Sequence, residues 1–83
     1  MTSRVARHPP DTRAQLQIAC WLGELPAEAL TTVEREYLLF DLWSEGWTDV
    51  EIACHTRMTL YTTGRIRARL GLAAHPARER ATA

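Results

Sequence analysis

The amino-acid sequence predicts an all-α fold, a single domain of four to five helices. Three observations support this prediction. Apolar residues recur every three or four positions through most of the chain, which is the spacing of one face of an α-helix. Threonine stands before several of these stretches, where its hydroxyl can cap the first turn of a helix. Glycine or proline follows them, and 83 residues give room for only one hydrophobic core.

Two segments at the ends of the chain lack the helical pattern. Residues 1–10 are polar, contain arginine and end in two prolines, so we expect a flexible arm there. Residues 73–83 include a proline and show no apolar period, so we expect a disordered tail. The helical domain is therefore predicted to span residues 11–72.

The first helical elements precede residue 31. Asp11 or Thr12 can cap a first helix that runs to about Leu22 and has a wide apolar surface. Pro26 then begins a segment that ends at Leu30 and predicts a short helical turn.

The second long helix has the clearest start signal. Thr31 and Glu34 fit a capping box, in which the threonine hydroxyl accepts a hydrogen bond from the Glu34 amide and the carboxylate accepts one from the Thr31 amide. The apolar period continues from Val33 until Gly46, which can adopt the left-handed backbone of a helix stop. This pattern predicts the longest helix of the chain.

The next helix begins almost at once and must be short. Thr48 and Glu51 fit a second capping box. The residues predicted to face the core are Val50, Ile52 and Ala53.

A last helix is predicted to begin after Thr59, which can cap it, and to end at Gly71. Its inward residues are spaced by three and four positions, as one helix face requires: Thr63, Ile66 and Leu70.

Charge is distributed unevenly along a chain whose formal net charge is zero. Residues 31–56 contain one arginine and six acidic residues, whereas residues 57–83 contain six arginines and one glutamate. A polyanion is therefore expected to bind the last third of the chain.

The side chains that support catalysis or bind metals are scattered. The three histidines fall in the predicted arm, turn and tail. Cys20 and Cys54 are far apart and form no CxxC pair, so we expect both to be buried or half-buried small hydrophobes. No nucleophile with a neighbouring base and no phosphate-binding loop is evident, so we expect no enzyme, no metal and no cofactor.

The segment from about Thr48 to Leu72 predicts a helix-turn-helix within the domain. A short helix, a tight corner and a second helix are what is needed to place a helix in the major groove of DNA. Ala53 is predicted to lie where the two helices approach closely. The small core between the helices is predicted to contain Ile52, Met58 and Ile66.

The run from Leu30 to Leu72 resembles the promoter-reading domain at the C-terminal end of bacterial sigma factors and the related LuxR-type output domain. The shared features are Leu-Thr-x-x-Glu-Arg-Glu at the helix start, the Gly46 break, Glu-Ile-Ala at 51–53, Met-Thr at 58–59 and Arg-Leu-Gly-Leu at 69–72. The chain departs from the family at Arg57, where the turn usually has glycine, and at Thr63, where valine or isoleucine usually packs. The resemblance implies a double-stranded DNA-binding regulator of transcription.

On this interpretation the start of the last helix faces DNA bases and neighbouring phosphates: Thr59, Leu60, Tyr61 and Thr62. Arg65, one turn further on, can contact a guanine edge with two hydrogen bonds. Phosphate contacts are expected from Arg57, Arg67 and Arg69. Gly64 is interpreted as allowing close approach to the DNA backbone; alternatively it only loosens the helix. The alternative interpretation of the arginines is a solvated face that compensates the negative end of the helix.

We expect a phage-type or actinobacterial-type repressor that acts as a homodimer in the cytoplasm, associated with the nucleoid. No apolar run approaches the length of a membrane span. In one version of this hypothesis the first helix provides a dimer face with Trp21, Trp43 and Trp47; alternatively the tryptophans belong to the core. The alternative is a protein-interaction module that binds RNA polymerase or a sigma factor through the acidic surface of residues 34–51.

Overall fold

The computed structural model describes residues 12–77, which contain four α-helices and one 3-10 turn and no β-strand in that part of the chain. The helices are α1 (Arg13–Trp21), α2 (Thr32–Ser44), α3 (Asp49–Thr56) and α4 (Leu60–Arg69), and the 3-10 turn is Ala27–Ala29. The all-α prediction is therefore confirmed. The predicted arm and the end of the predicted tail lie outside the described residues. None of the described helices is long and apolar enough to span a bilayer.

Threonine hydroxyls set the start of all four helices. Thr12, Thr31 and Thr48 each accept a hydrogen bond from the amide three residues later, at 3.0–3.2 Å. The side chain at that later position accepts a hydrogen bond from the threonine amide in each case, which completes a capping box. Thr59 caps α4 with its hydroxyl alone. The predicted helix starts are thus confirmed, with Thr12 rather than Asp11 as the cap of α1.

Two glycines end helices as predicted. Gly46 follows α2 with φ +93°, and Gly71 follows α4 with φ +75°. These are left-handed conformations that a residue with a Cβ adopts only at a cost.

Helix α2 lies at the centre of the domain and packs against α1, α3 and α4. Its inward face buries Leu38, Leu39 and Leu42. Ile52 from α3 and Ile66 from α4 complete the core next to them. A single core shared by four helices agrees with the expectation that a chain of this length forms only one hydrophobic core.

Two predictions about α3 are wrong. Val50 is 58% exposed, and the Cys54 thiol is exposed whereas that of Cys20 is buried. Helix α3 has eight residues and buries one face, formed by Ile52, Ala53 and Thr56. Positions 50 and 54 are one turn apart on the opposite face, so neither reaches the core.

The first residues of the predicted disordered tail instead lie across α2. The Trp43 indole nitrogen donates to the Ala73 carbonyl at 2.7 Å, and the His75 ring stacks on Trp43 with 4.8 Å between ring centroids. His75 Nε2 is also 2.8 Å from the Trp43 carbonyl oxygen. Ala73 and His75 thus contact α2, although the segment that contains them has no apolar period.

Candidate nucleic-acid interface

A three-residue turn joins α3 to α4. Arg57 ends α3 in the left-handed conformation, with φ 61° and ψ 30°. The Met58 amide donates to the Ala53 carbonyl at 3.2 Å and closes the turn. A left-handed residue other than glycine costs about 1–2 kcal/mol. The chain thus keeps the glycine-type turn geometry at position 57 and tolerates the strain.

The corner between α3 and α4 is packed as the sequence indicated. Ile52, Ala53 and Ile66 are buried there, and Met58 is half-buried against them. Thr63 is also fully buried, and its hydroxyl donates to the Thr59 carbonyl at 2.9 Å. Because its own helix satisfies the hydroxyl, threonine can occupy a core position without an unpaired polar group.

The opposite side of α4 is exposed to solvent. Tyr61 is 71% exposed, and Leu60, Arg65 and Arg57 are exposed as well. Thr59 is exposed and Thr62 is half-buried, with the two hydroxyls 3.0 Å apart. The predicted contact residues at the start of α4 therefore lie on its accessible side.

Tyr61 supports Arg65 on this surface. The two residues are one helical turn apart, and Arg65 Nη1 donates to the Tyr61 hydroxyl at 3.4 Å. The guanidinium carbon lies 5.7 Å from the centre of the Tyr61 ring. This cation–π contact holds the guanidinium at the surface and leaves most of its donors available.

The other two arginines of α4 are paired within the domain. Arg67 Nε lies 2.9 Å from an Asp49 carboxylate oxygen, and Arg67 Nη1 donates to the Leu72 carbonyl at 2.8 Å. Arg69 pairs with Glu36 at 2.8 Å. The half-buried Arg67 thus fastens α4 to α3, and Arg69 fastens α4 to α2. A phosphate would have to compete with Asp49 for the half-buried Arg67, whereas the Arg69 side chain is 49% exposed and keeps N–H donors that do not face Glu36.

Gly64 lies beside the ion pair that joins the two helices. A Cβ built at this position would be 3.7 Å from Asp49 Oδ2 and 3.9 Å from an Arg67 nitrogen. These are ordinary contact distances, so packing inside the domain does not require glycine here.

Sequence reasoning missed a groove of about 300 Å³ between α2 and α4. Arg35 of α2 lines it together with Arg65 and Arg69 of α4. Arg35 Nε donates to the Ala27 carbonyl at 3.1 Å, so its side chain is anchored beside α4. No local sequence pattern predicts this groove, because it depends on how α2 crosses α4.

The acidic surface of residues 34–51 is partly neutralised inside the domain. Glu34 forms an ion pair with Arg13 of α1 and accepts a hydrogen bond from Gln17 at 2.9 Å. The hydrogen bond from Arg13, supported by those from the Thr31 amide and Gln17, lowers the pKa of Glu34 to about 2. Glu36 and Asp49 of this surface are ion-paired as well.

Within residues 12–77, no three histidine, cysteine or acidic side chains are grouped so as to hold a metal ion.

Comparison with protein-family models, curated proteins and solved structures gives no match for this chain. The functional interpretation therefore depends on the chemistry of the exposed residues.

Proposed function

We propose that this protein binds double-stranded DNA in a sequence-specific manner, with α3 and α4 acting as a helix-turn-helix and α4 as the reading helix. We further propose that it acts as a homodimeric repressor of transcription. The observation that carries the proposal is the outward face of α4. It presents Tyr61 and Arg65, and no carboxylate of residues 12–77 forms an ion pair with Arg65 or with Arg57 in the preceding turn.

The dimensions of α4 support this role. An α-helix with its side chains is about 10–12 Å across, close to the width of the DNA major groove. The N-terminal residues of a reading helix are the ones that contact base edges in such motifs. In α4 those residues include Leu60 and Tyr61, both exposed large side chains. They supply apolar and hydroxyl contacts to base edges.

Arg65 is the proposed base-reading cation. A guanidinium can donate two parallel hydrogen bonds to the O6 and N7 atoms of guanine, which is the commonest specific arginine contact with DNA. The Tyr61 hydroxyl, 3.4 Å from Nη1, restricts the side chain before binding. Restriction lowers the entropy lost when the contact forms.

Arg57 is the proposed phosphate contact. It is exposed, and its left-handed backbone fixes it in the turn just before α4. A phosphate contact gives affinity without sequence choice. The main proposed role of Arg67 and Arg69 is to hold α4 in place, because each forms an ion pair with a carboxylate of another helix.

The rival function, binding of RNA polymerase or a sigma factor through residues 34–51, is less well supported. Glu34, Glu36 and Asp49 are paired within the domain, which reduces the charge available to a basic partner. The two functions differ in their response to duplex DNA and to salt.

The test is selection of a preferred duplex from a random library, followed by fluorescence titration at two salt concentrations. The proposal predicts binding that weakens with salt and favours the selected duplex over random sequence. The Glu45→Gln variant serves as the control, because Glu45 is an exposed residue directly after α2, and it should bind within about twofold of the native chain. Absence of any salt-dependent binding would overturn the proposal and favour the protein-binding role.

A further inference from the structure

Helix α1 exposes an apolar stripe that its own domain does not cover. Ile18 is 59% exposed, and Trp21 and Leu22 at the end of the helix are exposed as well. Ala14 lies one turn before Ile18 and is exposed too. The only charged residue within α1 is Arg13, at its first position. Exposed apolar patches on small domains mark interaction sites.

The stripe forms one wall of a groove of about 280 Å³ between α1 and α2. Leu30 and Leu38, which are buried, lie at its base. The exposed Tyr37 and Asp41 of α2 form the opposite wall. A side chain from another molecule can therefore enter between the two helices.

Opposite charges stand at the two ends of the stripe. At the N-terminal end the Arg13 side chain is 55% exposed even though it pairs with Glu34. At the other end, Asp41 lines the groove beside Trp21, and Glu24 is the third residue after α1. Neither Asp41 nor Glu24 has an ion pair with any residue of 12–77.

We propose that a second copy of this chain covers the stripe, with the two α1 helices packed antiparallel about a two-fold axis near Ile18. In this register Trp21 and Leu22 of one copy lie over Ala14 of the other. Arg13 of one copy, which keeps its pair with Glu34, lies near Glu24 and Asp41 of the other, so the partner's carboxylates extend this ion pair at both ends of the interface. A two-fold axis uses the same patch on both copies, as isologous interfaces do.

The antiparallel arrangement follows from the charges. Parallel packing would place Asp41 of one copy near Asp41 of the other, and like charges facing each other are unfavourable. Arg13 also stands at the positive end of its own helix, where a cation is not favoured. The negative end of an antiparallel neighbour compensates it.

This interface deepens the homodimer part of the proposed function. All of its residues lie outside α4, so each copy keeps the exposed face of α4 for DNA. Two reading helices related by a two-fold axis fit a palindromic site with two half-sites.

The experiment is sedimentation of the full chain without DNA across micromolar concentrations. The native chain should show a mass that rises with concentration from that of the 9.4 kDa monomer toward the dimer. Ile18→Asp buries a charge at the axis and should raise the dimer dissociation constant at least about tenfold. Val50→Asp is the matched control, because Val50 is as exposed as Ile18 but lies on α3, and it should leave the dimer intact. Circular dichroism establishes that both variants fold.

A charge variant tests the register. Asp41→Arg should weaken the dimer, because it faces Arg13 of the other copy, and adding Arg13→Gln should restore part of the loss. A native chain that stays monomeric throughout would overturn the interface, as would loss of the dimer in Val50→Asp but not in Ile18→Asp. An unchanged dimer in Asp41→Arg would overturn the antiparallel register. The proposed DNA binding is tested separately, since a single half-site duplex binds one copy whether or not dimers form.

Discussion

The arginines at the end of the described chain fall into two pairs that differ in how they are held. Arg67 and Arg69 are paired with Asp49 and Glu36 at 2.8–2.9 Å. Arg57 and Arg65 have no such carboxylate among residues 12–77. A basic run in a sequence is thus not one uniform surface, because part of its charge can be used in joining helices. A guanidinium that is already paired with a carboxylate attracts a further anion less strongly than an unpaired one.

The largest expected effect is on DNA affinity, from Arg65→Ala. Loss of a two-hydrogen-bond guanine contact should cost about 1–3 kcal/mol and relax the preference at one base pair. The free energy of unfolding should change by less than about 0.5 kcal/mol, because the side chain is exposed. Titration against the selected duplex and its single-base variants measures the first effect, and urea unfolding measures the second. Unchanged affinity and preference would remove Arg65 from the reading face.

Arg67→Ala should show the reverse pattern. The half-buried guanidinium donates to Asp49 and to the Leu72 carbonyl, so its loss should lower the free energy of unfolding by about 1–2 kcal/mol. The salt dependence of DNA binding should stay as in the native chain, because no phosphate contact is lost. A shallower salt dependence with native stability would show that Arg67 contacts DNA instead.

Arg57→Gly separates strain from binding at a single position. Glycine removes the cost of a left-handed arginine and should raise the free energy of unfolding by about 1 kcal/mol or somewhat less. Loss of one phosphate contact should reduce the salt slope of DNA binding by about 1. An Arg57→Lys variant keeps the charge and the strain, and it should preserve most of the slope.

Gly64→Ala should also stabilise the fold, by up to about 1 kcal/mol, because alanine is the better helix former and its Cβ meets no close atom. Thermal unfolding measures this gain. If DNA affinity falls while stability rises, the glycine is needed for close approach to the DNA backbone. If affinity is unchanged, the glycine has no role in binding.

Acid should weaken the contact between α1 and α2 that Glu34 forms. The pKa of Glu34 is about 2 in the folded protein, below its ordinary value of 4.5. A carboxyl group whose pKa is lower in the folded than in the unfolded protein stabilises the fold when the pH is above the unfolded pKa. This contribution is lost as the pH falls from about 4.5 toward 2. The free energy of unfolding, measured across that pH range, should fall in the native chain and fall less in the Glu34→Gln variant. Equal losses in both would place the acid sensitivity elsewhere.

The features that the sequence predicted are local ones. Thr31 and Glu34 are three residues apart, so their capping box needs no knowledge of the rest of the molecule. The same holds for Thr48 with Glu51 and for the stop at Gly46. Helix starts and ends could therefore be placed to within a residue or two.

The features that sequence reasoning missed depend on which part of the fold packs against each face of a helix. Val50 is apolar, yet its outward position follows from α3 burying its other face. The ion pairs of Arg67 and Arg69 join residues 18 and 33 positions apart, a separation at which no spacing rule operates. The docking of His75 on Trp43 spans 32 positions. Such contacts appear only when the helices are assembled.

The most direct test of the central claim, that the outward face of α4 binds DNA, is an NMR titration of the native chain with the selected duplex. We expect the largest amide shift changes between residues 57 and 65, with small changes in α1. The largest changes in α1 and α2, or none at all at saturating duplex, would contradict it.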